Sequence, residues 1–223
     1  MPVYKNVNKK FFNIWTSEMA YVLGFFAADG YITVNKRGGQ YWGIQIIDKN
    51  LLEEIKKVIG SEHAIGCKKG KENESTLYRL QIGSIEICDA LRGLGFSEKK
   101  TNNMTLPGVP EEYVGDFIRG YFDGDGNVWV GKNNARRERS VDTILVMFTS
   151  CSESFLQSLK QRLILKGLKG GSLYSLKEGY FRLSLSVQDS LKLFEIMYNN
   201  STSESLYLKR KKDVFEQFIA MRP

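Results

Sequence analysis

Ala20-Tyr-Val-Leu-Gly-Phe-Phe-Ala-Ala-Asp-Gly-Tyr-Ile32 and Asp116-Phe-Ile-Arg-Gly-Tyr-Phe-Asp-Gly-Asp-Gly-Asn-Val128 are two copies of one pattern. Gly24 aligns with Gly120, Phe26 with Phe122, Asp29 with Asp125 and Gly30 with Gly126, an offset of 125 − 29 = 96 residues. Such self-similarity marks an internally repeated architecture. The likeness continues downstream. Residues 48–57 and 152–161 both read as N-capped amphipathic helices, with Asp48 and Ser152 as caps. Leu52 pairs with Leu156, so the offset has grown to 156 − 52 = 104, which fits an insertion in the basic Lys132–Arg139 turn. Residues 78–82 and 181–185 are matching alternating strands, followed by helices over 84–94 and 187–198. Each half thus reads helix, two strands, helix, two strands, helix. The expected class is α+β with pseudo-twofold symmetry and one antiparallel sheet per half. The expected division is 1–100, a linker at 101–110 containing Pro107 and Pro110, and 111–223.

Within the copied stretch, Gly24 and Ala28 lie one helical turn apart, as do Gly120 and Gly124. A glycine inside a helix costs about 1 kcal/mol against alanine, so close packing of the two helices is the expected compensation. Each helix should end at Asp-Gly, with Gly30 and Gly126 as left-handed C-terminal caps. Helices paired this way would bring Asp29 and Asp125 side by side at two negative helix ends. Carboxylates so placed call for a bound cation, and hard oxygen donors favour Mg²⁺. The carbonyls near Ala28 and Gly124 are further candidate ligands. A calcium hand at residues 123–134 is excluded, because Val128 and Asn134 occupy the positions that need glycine and glutamate.

The 223-residue chain carries 32 Lys and Arg against 25 Asp and Glu, a net charge of +7 and a pI near 9.2. A surplus of this size suggests a polyanionic partner. The charge gathers at turns, where phosphates are reachable: Lys36 and Arg37; Lys68, Lys69 and Lys71; Lys132, Arg136, Arg137 and Arg139; and the run Lys209–Lys212. Three separated cysteines suggest neither a disulfide framework nor a zinc site. No apolar run is long enough for a bilayer and residues 1–10 do not read as a signal peptide, so an intracellular protein without a membrane partner is expected. The lone histidine, His63, has no evident catalytic partner. Phe11, Phe12 and Trp15 are expected to staple the N-terminal segment onto the first half.

Val22–Gly30 and Ile118–Gly126 resemble the LAGLIDADG motif of homing endonucleases, and the resemblance, to the monomeric two-motif form, covers nearly the whole chain. It implies an αββαββα unit in each half, motif helices at a central interface and sheets that lie over double-stranded DNA. It further implies Mg²⁺-dependent cleavage of both strands of a long asymmetric site by a monomer without an obligate protein partner. Mn²⁺ would substitute, and Ca²⁺ would bind without supporting efficient cleavage. The family's last acidic residue binds metal, which maps onto Asp29 and Asp125, with the preceding carbonyls of Ala28 and Gly124. Asp123 has the first motif's Ala27 as its counterpart and is read as support for the helix end. The family's basic residues near the metal map onto Lys100, with Lys99 as competitor, and onto Lys209 or Lys211. A polar residue at the end of the second strand maps onto Asp48.

A two-stranded ribbon fits the major groove, where arginine reads guanine and Gln or Asn reads adenine. Candidate DNA contacts are Asn35, Arg37, Gln40, Trp42 and Gln45 in the first hairpin, with packing the favoured reading of Trp42. Lys68, Lys69 and Arg79 follow in the second. In the other half they are Lys132, Asn134, Arg136, Arg137, Arg139 and Arg182. Other readings are an intron RNA maturase or a DNA-binding regulator on the same fold. Loss of an acidic residue at a motif end would favour the maturase, and both are present.

Overall fold

The computed structural model describes residues 5–70, 75–98, 103–133, 141–202 and 204–222. Among these, helix α1 (Ser17–Asp29) leads straight into β1 (Gly30–Val34) and β2 (Gln40–Ile46). Then come α2 (Lys49–Val58), β3 (Gly66–Lys68), β4 (Leu77–Gly83) and α3 (Ile85–Gly93). The second series is α4 (Val114–Asp125), β5 (Gly126–Asn133), β6 (Val141–Ser150), α5 (Glu153–Leu165), β7 (Ser172–Ser175), β8 (Phe181–Ser184), α6 (Val187–Tyr198) and α7 (Lys209–Ala220). Two four-stranded antiparallel sheets result, ordered β1-β2-β4-β3 and β5-β6-β8-β7. The identical order, shifted by four, is the repeat read from the sequence. The α+β class and the paired four-stranded sheets agree with that reading.

Compactness and repeat do not divide the chain at the same place. One compact unit comprises Met1–Lys100 with Pro107–Gly124, the other Thr101–Leu106 with Asp125–Pro223. The second motif helix therefore packs with the first repeat as far as Gly124.

In the first unit, Thr16 caps α1 by accepting a hydrogen bond from the Met19 amide at 3.1 Å. The helix is apolar all round, and every residue from Met19 to Ala27 is buried. Such a helix belongs inside a core. Trp42 is at the centre of that core, edge-on to Phe12 at 5.7 Å and to Phe26 at 6.3 Å. Phe11 and Phe12 are buried beside it, while Trp15 stacks on Tyr113 at 6.3 Å. The N-terminal aromatics thus staple this segment to the unit, each fully buried ring contributing up to about 3 kcal/mol. Ile32, Ile44, Leu80 and Ile82 fill the sheet's inner face, against which α2 and α3 pack.

The second unit repeats the scheme. Val146, Phe148, Ile144 and Leu183 form the inner face, covered by α5, α6 and α7. Ser152 caps α5 through the Phe155 amide at 3.3 Å, and its hydroxyl donates to the Met104 carbonyl at 2.7 Å.

Two local expectations fail. Asp48 precedes α2 at φ −88, ψ 89 and makes no side-chain cap bond to it. Gly30 has φ −83 and ψ 162 and is no left-handed cap; the chain enters β1 directly. Glycine is required there because a Cβ would run into the Phe26 ring.

Candidate functional site at the motif-helix ends and the sheet faces

Within the first unit the two motif helices meet backbone to backbone. A Cβ on Gly24 would overlap the Phe117 carbonyl oxygen and fall 2.9 Å from the Tyr121 nitrogen. A Cβ on Gly120 would overlap the Tyr21 carbonyl oxygen and fall 2.9 Å from the Phe25 nitrogen. The two sets are related by the repeat offset, since 117 − 21 = 96 and 121 − 25 = 96. The glycines are the means by which the helices touch.

Beyond this point the pairing loses its symmetry. The Tyr21 hydroxyl donates to Asp123 Oδ2 at 2.7 Å in a buried setting. Arg119, 2% exposed, reaches over the Tyr21 ring at 5.5 Å and pairs with Asp116 at 2.6 Å. The repeat partners of Tyr21 and Asp123 are Phe117 and Ala27, both apolar. Asp123 thus ties the two helices together, where the sequence suggested support for its own helix end.

At the helix ends, the place where a Cβ on Gly124 would lie is occupied by the Ala28 methyl and is 3.1 Å from Asp29 Oδ2. The missing side chain makes a recess that holds the half-buried Asp29 carboxylate against the last turn of α4. Asp125 follows Gly124 by one peptide bond and is exposed. Carboxylate oxygens and helix-end carbonyls form a hard donor set suited to Mg²⁺. Among the described residues, no group of three or more His, Cys, Asp and Glu side chains gathers as a ready-made metal cluster.

In the second unit, Lys211 is 8% exposed and donates its ammonium to the Gly126 carbonyl at 2.5 Å. It therefore stands beside the residue that follows Asp125. Lys209 points elsewhere: its side chain is 78% exposed and paired with Asp213 at 2.7 Å, one turn further along α7. The family resemblance pointed to Lys209, with Lys211 as the alternative. The structure brings Lys211 to the motif end and leaves Lys209 on the surface. Lys99 and Lys100 lie outside the described residues.

Strand register sorts the expected DNA contacts. In the first sheet, Ile44 and Trp42 share the inner face with Leu80 and Ile82. The outer face then carries Tyr31, Thr33, Tyr41, Gln45, Arg79 and Gln81, with Lys68 at its edge. Gln45, Arg79 and Lys68 are on that face and exposed, and Lys69 follows Lys68 in an exposed loop. Trp42, fully buried, is no reader but a core residue. Gln40 shares its inward alternation and accepts a hydrogen bond from Arg92 on α3 at 2.7 Å, which takes it off the outer face. Asn35 builds the turn: its Oδ1 accepts the amides of Arg37 at 2.9 Å and Gly39 at 2.8 Å, leaving the exposed Arg37 at the tip. In the second sheet the outer face carries Asn127, Trp129, Leu145, Met147, Thr149 and Arg182. Lys132 alternates with Val128 and Val130 and so falls on the inner side at the strand's exposed end. Asn134, Arg136, Arg137 and Arg139 lie outside the described residues.

The family model of the LAGLIDADG-like domain matches residues 16–92 and again 112–195, one match per repeat. The chain belongs to this family. Among curated relatives, an uncharacterized protein of Methanocaldococcus jannaschii, MJ0398, is 26% identical over 214 residues, which cover 91% of this chain and 71% of that one. A probable translation initiation factor of Thermococcus kodakarensis is 28% identical over 155 residues, 66% of this chain but 12% of that protein, so the likeness is to a short segment of it. Among solved structures, the LAGLIDADG meganuclease I-AabMI bound to uncleaved DNA superposes with a TM-score of 0.59 at 15% identity, covering 90% of this chain and 88% of that one. The I-SmaMI LAGLIDADG homing endonuclease bound to cleaved DNA gives 0.57 at 13% identity, covering 93% and 88%. The fold is that of the LAGLIDADG endonucleases.

Tyr31, Thr33, Tyr41 and Gln81 escaped the sequence reading of this LAGLIDADG chain as outer-face residues. The available signal was Gly43, a glycine inside a strand, which marks a close approach. His63 stays apart from the chemistry: its Nδ1 is 3.0 Å from Ser61 Oγ, and burial, aided by Lys5 and Lys56, lowers its affinity for a proton. No described helix is long and apolar enough to cross a membrane.

Proposed function

We propose that this chain is a site-specific endodeoxyribonuclease that hydrolyses one phosphodiester in each strand of an extended double-stranded target. Asp29 and Asp125 supply the carboxylates that hold Mg²⁺, with the carbonyls of Ala28 and Gly124 as further donors. The observation that carries this reading is the Asp29 carboxylate seated in the recess at Gly124, one residue before the second motif's Asp125. When bound, the metal supplies an activated water and stabilises the leaving oxygen. The protein's own part is to keep these oxygens in place and to line the strands with groups that fit DNA. Lys211, beside Gly126, places a cation at the helix end and is preferred to Lys209 for stabilising charge on the scissile phosphate. The outer faces, with Arg79, Gln45 and Lys68 on one and Arg182 on the other, supply the groove contacts.

The test is a cleavage selection from a randomised double-stranded DNA library in Mg²⁺, with Asp29→Asn and Asp125→Asn as controls. The parent should enrich one discrete cleaved sequence, and each substitution should lower its cleavage by about a thousandfold or more while binding persists. Mn²⁺ should substitute and Ca²⁺ should give binding without efficient cleavage. Lys211→Met should cost more activity than Lys209→Met. A parent that binds one DNA or RNA sequence and never cuts it would show a regulator or maturase instead.

A further inference from the structure

Gly43 sits in the middle of β2, a central strand, where glycine weakens a sheet unless something needs the room. What needs it is Tyr31. A Cβ on Gly43 would fall 2.6 Å from the Tyr31 phenol oxygen, 2.7 Å from its Cζ and 2.8 Å from the Leu80 carbonyl oxygen. Tyr31 belongs to β1, opposite Gly43 in the register. Its ring therefore lies across β2 on the outer face, with its phenol end over Gly43. There it is within reach of the guanidinium of Arg79, which stands on the same face on β4. Burial raises the phenol above its ordinary value against the opposing pull of Arg79, so the phenol is neutral at physiological pH. Arg79 has Gly66 opposite it on β3 and Gln45 opposite it on β2. No side chain rises beside it on the β3 side, and it stays exposed.

We infer that Tyr31 is a positioning residue for DNA specificity, holding Arg79 in a fixed rotamer on the outer face so that its remaining donors read one guanine in the major groove. This rests on the DNA-cleaving reading above. A guanidinium has five N–H donors, so one given to the phenol leaves enough for a bidentate pair with guanine O6 and N7. Ordering a long side chain before DNA arrives removes part of the entropy cost of binding. The second unit lacks the device. By register, Asn127 replaces Tyr31 and Met147 replaces Gly43, and Arg182 has Tyr174 and Thr149 opposite it. Arg182 is also half-buried, whereas Arg79 is exposed. The discrimination supplied by this pair of arginines should therefore come mainly from Arg79.

The experiment profiles base preference position by position for the parent, Tyr31→Phe, Arg79→Ala and Arg182→Ala as full chains, using the cleavage selection and binding in Ca²⁺, with circular dichroism to show each is folded. Arg79→Ala should erase a guanine preference at one position, a loss of about five- to a hundredfold. Tyr31→Phe should weaken the same position by roughly two- to tenfold, through affinity rather than turnover, and leave other positions unchanged. A Tyr31→Phe profile identical to the parent's, with Arg79→Ala altered, would overturn the positioning role alone. An Arg79→Ala profile identical to the parent's would overturn the inference at its root. A parent that selects no sequence at all would instead remove the DNA-recognition reading beneath it.

Discussion

The two motif helices agree where their backbones touch and disagree wherever side chains fill the remaining space. Gly24 and Gly120 make reciprocal contacts related by a constant offset, each against the other helix's carbonyl oxygen and a backbone nitrogen. One turn on, Ala28 faces Gly124, and deeper in the pair Tyr21 binds Asp123 where Phe117 and Ala27 are the counterparts. A backbone contact has no alternative packing, so both copies must be glycine. A side-chain pair can be filled in several ways, and the repeats have filled it differently. The strongest way to break this comparison is to give one glycine a methyl group. Gly24→Ala and Gly120→Ala should each destabilise the protein by about 3 kcal/mol, by equal amounts, as measured by denaturant unfolding. Backbone cannot yield as a flexible side chain does. A cost below about 1 kcal/mol at either position would show that the helices are free to part there.

The contact at Gly124 should respond differently, because there the obstacle is a methyl group and not a backbone. Gly124→Ala would meet the Ala28 Cβ and press on the Asp29 carboxylate. Cleavage should fall by about a hundredfold, the size of effect expected from a misplacement of about 1 Å. Adding Ala28→Gly should restore most of it, since one methyl then fills the recess from the other side. Single-turnover cleavage of the selected target measures both. If the double variant is no better than Gly124→Ala alone, the recess is not what seats Asp29.

The repeat and the α+β class were legible from residue order, because glycine spacing is a local signal, and the Asp-Gly endings marked Asp29 and Asp125 as candidates in the same way. Features that depend on register were not. Gln40 and Gln45 look alike in sequence, yet one binds Arg92 behind the sheet and the other faces outward. Lys209 and Lys211 differ by two positions on a helix, about 200°, enough to send one to solvent and the other to Gly126. Asn35 reads as a groove contact until the turn closes around its side chain. Tyr31 became visible only once β1, β2 and β4 were aligned and Gly43 was seen beneath it.

The smallest effect expected concerns the buried pair that breaks the symmetry. Tyr21→Phe removes the hydroxyl that donates to Asp123 at 2.7 Å and should cost about 1.5 kcal/mol in unfolding experiments. Asp123→Ala alone should also destabilise, because it removes the carboxylate that accepts the Tyr21 hydroxyl at 2.7 Å. The double variant reproduces the apolar character of Phe117 and Ala27, so it should cost less than the sum of the two. A double-mutant cycle should therefore return a coupling of about 1 kcal/mol. Full additivity would mean that the 2.7 Å bond contributes nothing beyond packing. The polar pair would then be only a different filling of the same space, and the two halves of the helix interface would be energetically alike despite their chemistry.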